Sequence, residues 1–370
     1  MSPALYLGGF GFGLIAVCYG FARFAFGLFL PQIDAALSLS STLSGLISGG
    51  SFLGYCVAIL LSAYLTERAG PRFVALLASL VAALGMTGIA FAHSPVWLAA
   101  AVMLAGSSTG LASPPMAAAV AAIVEKHRQS ATNTVINAGT GAGVVLCGPV
   151  ALLMGEQWRL AFAGFAAVAF AFALLAFFCV PASANRSRDA ARLPPLTGAL
   201  KRLIAASFLV GAASTAVWSF GGQLVALRLD WGSPGAGLLW IAIGAAGMVG
   251  AAAGSLIERF GINRVHRVFL AALASGTLMV GMVNTTPTLA LLGGALFGVA
   301  YIMVTGVYLV WGVTALPHRP ATGLMVGFLT IAIGQTAGAP VFGLLMDQFS
   351  ATAAVTSFAA LAVAAGLARA

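Results

Sequence analysis

Charge is what this sequence has least of. Only 7% of its 370 residues are Asp, Glu, Lys or Arg, against roughly a quarter in a soluble domain, and the mean hydropathy is +1.05. A soluble fold is excluded. Acidic residues are scarcer than basic ones, eight against 17. No span centre holds Asp, Glu, Lys or His, and the four histidines (His93, His127, His266 and His318) all fall in expected loops, so the usual intramembrane proton relay is missing. Cys18, Cys56, Cys147 and Cys179 lie in apolar stretches without metal spacing. They read as small buried hydrophobes, and no metal or cofactor is expected. No nucleotide loop and no nucleophile-and-base arrangement occurs, which argues against an ATP-driven pump and against a membrane-embedded enzyme. The alternation of a membrane barrel is absent too.

What is present is a series of long apolar runs. Each is about the 20 residues that a hydrocarbon core of roughly 30 Å demands of a spanning helix. Twelve spans are predicted, over 6–30, 42–65, 73–92, 96–123, 131–153, 159–180, 203–227, 237–257, 268–286, 288–314, 322–346 and 351–368. The first continues without a polar cleavage region, so no cleavable signal peptide is expected. The chain is expected to be a polytopic all-α membrane protein, and its abundant glycine, 46 residues, suits helices that pack backbone to backbone in lipid.

Basic residues orient the chain, because Lys and Arg collect in cytoplasmic loops. With the N terminus inside, the inner connections hold Arg68, Arg72, Lys126, Arg128, Arg186, Arg188, Arg192, Lys201, Arg202, Arg259, Arg264, Arg267, Arg319 and Arg369. Only Arg159 and Arg228 fall outside, and Arg23 falls within a span. The net charge of +9 is thus a topology signal and not a nucleic-acid surface. The expected location is the plasma membrane, as in a bacterial inner membrane, with both termini cytoplasmic. A monomer is expected, with a small-molecule substrate, the lipid bilayer and a coupling proton as partners and no nucleic acid.

The segment 181–202, mixing Pro, Ala and Arg, reads as a cytoplasmic linker between a six-helix bundle at 1–180 and another at 203–370. The two repeat each other at a fixed offset of 191 residues. "AYLTERAGPR" at 63–72 answers "GSLIERFGIN" at 254–263, "HR" at 127–128 answers "HR" at 318–319, and "GPVALLMGEQW" at 148–158 answers "APVFGLLMDQF" at 339–349. Six spans return a half to its starting side, so the repeat is parallel.

The sequence resembles the major facilitator superfamily (MFS) in these loops. That family's signature between helices 2 and 3 appears as Ala63-x-Leu65-x-Glu67-Arg68-x-Gly70-Pro71-Arg72, with Ala for Gly and Glu for Asp. It recurs as Gly254-x-Leu256-x-Glu258-Arg259-x-Gly261, with Arg264 following. Within the superfamily, "GFARFAFGLFLP" and "GSFLGYCVAILL" resemble the YbfB-like branch. The resemblance implies twelve helices in two bundles, a central cavity lined by helices 1, 4, 7 and 10, and alternating access. Glu67, Arg68, Arg72, Glu258, Arg259 and Arg264 are candidate inter-helix ion pairs that bias a two-state equilibrium; plain topogenic charge is the other reading. Gly148-Pro149 weakly resembles an antiporter proline signature, and Pro340 repeats it; Pro114-Pro115 reads as a kink.

Arg23 is the candidate substrate anchor. A central Arg costs about 2.5–3.5 kcal/mol on insertion scales and cannot shed its proton. It lies roughly 12 Å below the outer end of its helix. Asp34, eleven positions on, would sit too far along the helix for a direct pair. The natural counter-ion is then an anion from solution, although pairing within the protein and snorkelling are the other readings. Tyr19 shares the face of Arg23. Trp218 and Gln223 in the seventh span, and Tyr301, Thr305, Tyr308 and Trp311 in the tenth, are candidate contacts, as are Tyr55, Asn137 and Gln335. Packing and interhelical hydrogen bonds are the plainer explanations for each alone. Asp34 is the candidate proton site. The function expected is secondary active or facilitative transport of a small anionic organic solute. The alternatives are proton-coupled efflux of drugs or toxic lipophilic compounds and, more distantly, a non-transporting membrane receptor.

Overall fold

In lipid each backbone N–H and C=O must find its partner within the segment, so only helices and closed barrels span. The computed structural model describes residues 2–182, 196–229, 231–248, 253–318 and 320–370, and among these no strand occurs. Among the described residues the helices fall into twelve segments in chain order. They are α1 Pro3–Leu37, α2 Ser41–Ala69, α3 Pro71–Ala90, α4 Pro95–Ile123, α5 Lys126–Met154 and α6 Trp158–Cys179 in the first half. The second half holds α7, broken into Gly198–Trp218 and Gly221–Arg228, and α8, Gly232–Gly247 with Ala253–Phe260. It continues with α9 Ile262–Gly281, α10 Pro287–Ala315, α11 Pro320–Gln348 and α12 Ala351–Ala365. Among the described residues nine helices are long and apolar enough to cross a bilayer. The molecule is an all-helical integral membrane protein.

Capping residues set where these helices begin. Ser40, Ser94, Thr197, Thr286 and Ser350 each accept the N–H three residues on through the side-chain hydroxyl, satisfying one of the orphan donors of a first helical turn. Thr197 starts α7 at Gly198, so the last residues of the connection predicted over 181–202 are helical; 183–195 lie outside the described residues. The predicted continuous span over 203–227 is interrupted at Ser219 and Phe220, where φ of Phe220 is −118° and ψ 1°. α9 begins earlier than predicted, at Ile262, because Arg264 and Arg267 extend the helix end and need not lie in a loop.

The internal repeat is visible in the backbone. Gly70 and Gly261, equivalent in the two halves, both stand at positive φ, 85° and 80°, and each turns the chain directly into the next helix. A residue with a Cβ would be strained at either place. Gly20 of α1 abuts Gly143 of α5, and their equivalents Gly211 of α7 and Gly334 of α11 bring the corresponding helix pair into backbone contact. Small residues allow such approach without side chains intervening. The halves meet along α2 with α11, α5 with α8, and the end of α1 with the second part of α7.

Candidate functional site

The first helix changes character where its arginine lies. Over Ala16–Phe24 the hydrogen bonding becomes π-helical, and the N–H of Ala25 reaches back to the carbonyl of Gly20. π-Turns are rare and frequently mark functional sites. Arg23 is 7% exposed. Its Nη2 donates to Oε1 of Gln335 on α11 at 2.6 Å, and its Nε, fully shielded, has no partner. Four aromatic rings surround the guanidinium: Tyr55 at 4.6 Å, Phe52 at 4.8 Å, Phe24 at 5.3 Å and Tyr19 at 5.8 Å from its carbon to the ring centroid. Each lies within cation–π range. Among the described residues no carboxylate is paired with it.

Gln335 is itself fixed. Its Nε2 donates to Ser214 Oγ and to Tyr301 OH, both at 3.2 Å, which holds the amide oxygen toward Arg23. Ser214 occupies the repeat position equivalent to Arg23. Trp218, one turn further along α7, stacks on Phe24 with centroids 4.1 Å apart and meets Tyr301 and Phe297 edge-on. Its indole Nε1 is buried without a partner. Tyr19 OH lies 3.3 Å from Ser113 Oγ on α4. A guanidinium with unmet donors, a second unmet donor on an indole and a wall of rings can hold an anion that carries an apolar or planar body.

Twelve helices, two repeated halves and a buried polar centre shared between them narrow the assignment, and the comparison with known families decides it. The model of the Major Facilitator Superfamily matches residues 12–335. The chain belongs to that superfamily. No curated protein matches this MFS chain. Among solved structures it is similar to a point mutant of the nucleoside transporter NupG (TM-score 0.81, 13% identity, covering 99% of this chain and 98% of that one). It is similar to the inward-open xylose transporter XylE from E. coli (0.80, 14%, 98% and 95%). A third is a bacterial homologue of the human lysosomal transporter Spinster, inward-facing and occupied (0.75, 17%, 98% and 93%). At such identities the likeness is one of fold alone.

The other predicted residues of this MFS chain are placed elsewhere. Gln223 lies at the end poor in basic residues, where its Nε2 donates to Asp34 Oδ2 at 3.0 Å, and Ser44 Oγ donates to Asp34 Oδ1 at 2.7 Å. Asp34 therefore joins α1 and α2 to α7 and does not reach Arg23. Asp347 of α11 accepts from the N–H groups of Ser41 and Thr42 and from Thr42 Oγ1 at the start of α2, a second carboxylate link between the halves. Ser48 Oγ and Ser219 Oγ, 2.6 Å apart, add a third contact. Thr305 donates to Ile302 O on its own helix, and Asn137 faces outward.

Tyr308 and Trp311 pack in a separate cluster against His266, whose Nε2 lies 3.0 Å from Tyr308 OH. His266 is 1% exposed inside α9, so the expectation that every histidine lies in a loop is wrong for this one, and also for His127, which stands in the exposed first turn of α5. In the two copies of the signature, Glu67 and Glu258 stand in the last turns of α2 and α8, exposed, and reach no basic side chain; among the described residues the one ion pair joins Glu125 and His127. Arg68 lies over Tyr64, Arg259 over Phe260, and Arg72 donates to Val180 O at 2.7 Å. Arg264 is exposed.

The sequence reading missed Phe24, Phe52, Phe297 and Ser113. Phe52 stands three positions before Tyr55 and shares its helical face, a signal that was available. Nothing in the sequence announces the π-helical turn.

Proposed function

We propose that this MFS chain is a secondary transporter that moves a small organic anion by alternating access, with Arg23 as the charge anchor. The observation that carries the reading is a buried guanidinium whose acceptor in the protein is the neutral amide of Gln335, while its Nε goes unmet. A buried charge without a counter-ion is costly, and a carboxylate or phosphate on a solute relieves that cost with charge-assisted hydrogen bonds. Tyr19, Tyr55, Trp218 and Tyr301 shape the binding space around the anion. The segments that suggest the YbfB-like branch, 20–31 and 50–61, carry Arg23, Phe24, Phe52 and Tyr55, so that membership belongs to the same proposal.

In this reading the halves 1–180 and 203–370 rock about the site, the segment 181–202 joins them, and the loops rich in arginine face the cytoplasm. The links through Asp34, Asp347 and Ser48 close the opposite end in the present state. Glu67, Arg68, Arg72, Glu258, Arg259 and Arg264 pair when the cytoplasmic end closes. Asp34 carries the coupling proton: protonation removes the negative acceptor that holds Ser44 and Gln223, and the closed end loosens.

Uptake of a panel of organic acids into proteoliposomes is the test, with Arg23→Ala alongside the native chain. Saturable uptake of at least one acid, lost in Arg23→Ala, supports the proposal. A second reading, export of a neutral lipophilic compound, is favoured by the four rings around Arg23. Acid flux that survives Arg23→Ala while lipophilic compounds are exported overturns the first reading for the second.

A further inference from the structure

Arg267 and Leu270 of α9, with Val363, Leu367 and Arg369 at and beyond the end of α12, line a cavity of about 360 Å³ at the basic end of the second half. That is roughly a dozen water volumes. One side chain and one backbone carbonyl of these arginines are tethered. Arg267 Nε donates to Gly366 O at 3.3 Å, and the backbone carbonyl of Arg369 accepts from Arg202 Nε at 2.8 Å. The Nη groups of Arg267 and Arg369 donate to no acceptor among the described residues, and no acid pairs with either. Beside them the walls are apolar and open outward: Val363 is 58% and Leu367 83% exposed.

We infer that this cleft is a binding site for one anionic phospholipid, with its phosphate between Arg267 and Arg369 and an acyl chain along Leu270, Val363 and Leu367. Charge complementarity selects the anion, since two arginines line the cleft and among the described residues no Asp or Glu side chain pairs with either. The apolar wall selects a lipid over a soluble phosphate. Basic clefts between membrane helices at the level of the head groups suit anionic lipids on these grounds. The site is separate from Arg23 and holds whether or not the transported solute is an anion.

The test is the thermal unfolding midpoint of the full chain in neutral detergent, titrated with phosphatidylglycerol, phosphatidylcholine or inorganic phosphate. Phosphatidylglycerol should raise the midpoint saturably, and the other two should not. Arg267→Gln/Arg369→Gln should keep the starting midpoint, since both side chains are exposed, and weaken the response roughly tenfold or more in concentration. Equal response to phosphatidylcholine, an equal rise with inorganic phosphate alone, or an undiminished phosphatidylglycerol response in the double variant overturns the inference. If the double variant unfolds, Arg267→Gln alone is titrated against the same criteria.

Discussion

Arg23 Nη2 donates to Gln335 Oε1 at 2.6 Å, joining α1 of one half to α11 of the other across 312 positions of sequence. The acceptor is an amide whose nitrogen is committed to Ser214 and Tyr301, so its oxygen is presented to the guanidinium without a charge. A neutral acceptor orients the arginine yet leaves it able to exchange onto an arriving anion. Gln335→Glu should therefore replace the solute with a built-in carboxylate. Anion uptake should fall on the order of 100-fold, chiefly through a raised KM, and initial-rate measurements over a range of acid concentrations would show it. Unchanged KM would mean that Arg23 does not meet the solute.

Arg23→Lys keeps the charge and loses the planar fork that can hold Gln335 and a carboxylate together. Uptake should survive at less than roughly a tenth of the native kcat/KM, above Arg23→Ala and below the native chain. Equal activity of the Lys and Ala variants would point to shape rather than charge.

Asp34→Asn should uncouple transport from protons. Asn keeps one oxygen to accept from Ser44, while its NH2 meets Gln223, whose amide must turn to offer its unpartnered Oε1. The end poor in basic residues then keeps its contacts without a charge that a proton cancels. Exchange of labelled for unlabelled solute should persist in proteoliposomes, whereas the acceleration produced by an imposed pH gradient should disappear. Persistence of that acceleration in Asp34→Asn would place the coupling site elsewhere.

Tyr308→Phe tests whether the cluster around His266 serves folding alone. His266 Nδ1 already lacks a partner, and removing the Tyr308 hydroxyl leaves Nε2 buried and unmet as well, at a cost of about 1–3 kcal/mol. The unfolding midpoint should drop while the KM for the solute stays the same. A changed KM would bring α9 into the binding mechanism.

The placement of these groups shows what could be read in the sequence. Tyr19, Arg23, Tyr55, Trp218, Tyr301 and Gln335, all singled out from polarity within apolar runs, converge on one site. Thr305, Tyr308 and Trp311 share a helix with Tyr301, yet they do not join it. Helical spacing fixes the direction in which a side chain points but not which neighbour stands at that depth. Seven residues carry Tyr308 about 10 Å along α10 from Tyr301, to a level where α9 and His266 are the neighbours. The repeat was legible because it recurs at one offset, and the equivalent glycines show its backbone basis: Gly20 lies against Gly143 in one half, and in the other Gly211 lies against Ile331 and Gly334 against Phe208. No local pattern encodes the break in α7 at Ser219 or the π-helical turn in α1.

The last prediction concerns the closed end. Gly27 of α1 lies against the carbonyl of Trp218, where α7 breaks, and Gly222 in turn lies against the carbonyls of Gly27 and Leu28. At the same end, where Asp347 holds the start of α2, Gly343 of α11 lies against the carbonyl of Ser41. A Cβ at Gly27 or at Gly343 would strike backbone that cannot rotate away. Overpacking of this kind costs about 1–3 kcal/mol, and here the cost falls only on the state in which these ends touch. Gly27→Val should thus shift the equilibrium toward the state open at this end. The shift can be read by placing a thiol at Ser219, which contacts Ser48 across the closed interface, and measuring its reaction with a membrane-impermeant maleimide added from that side. Ser219→Cys should label slowly alone and roughly tenfold faster with Gly27→Val. Gly164→Ala, whose added methyl meets nothing within 4 Å, should leave the rate unchanged. Three of the native cysteines are buried, so the background is low. If the rate does not rise in a folded Gly27→Val protein, the contact between α1 and the break in α7 is packing and not a gate.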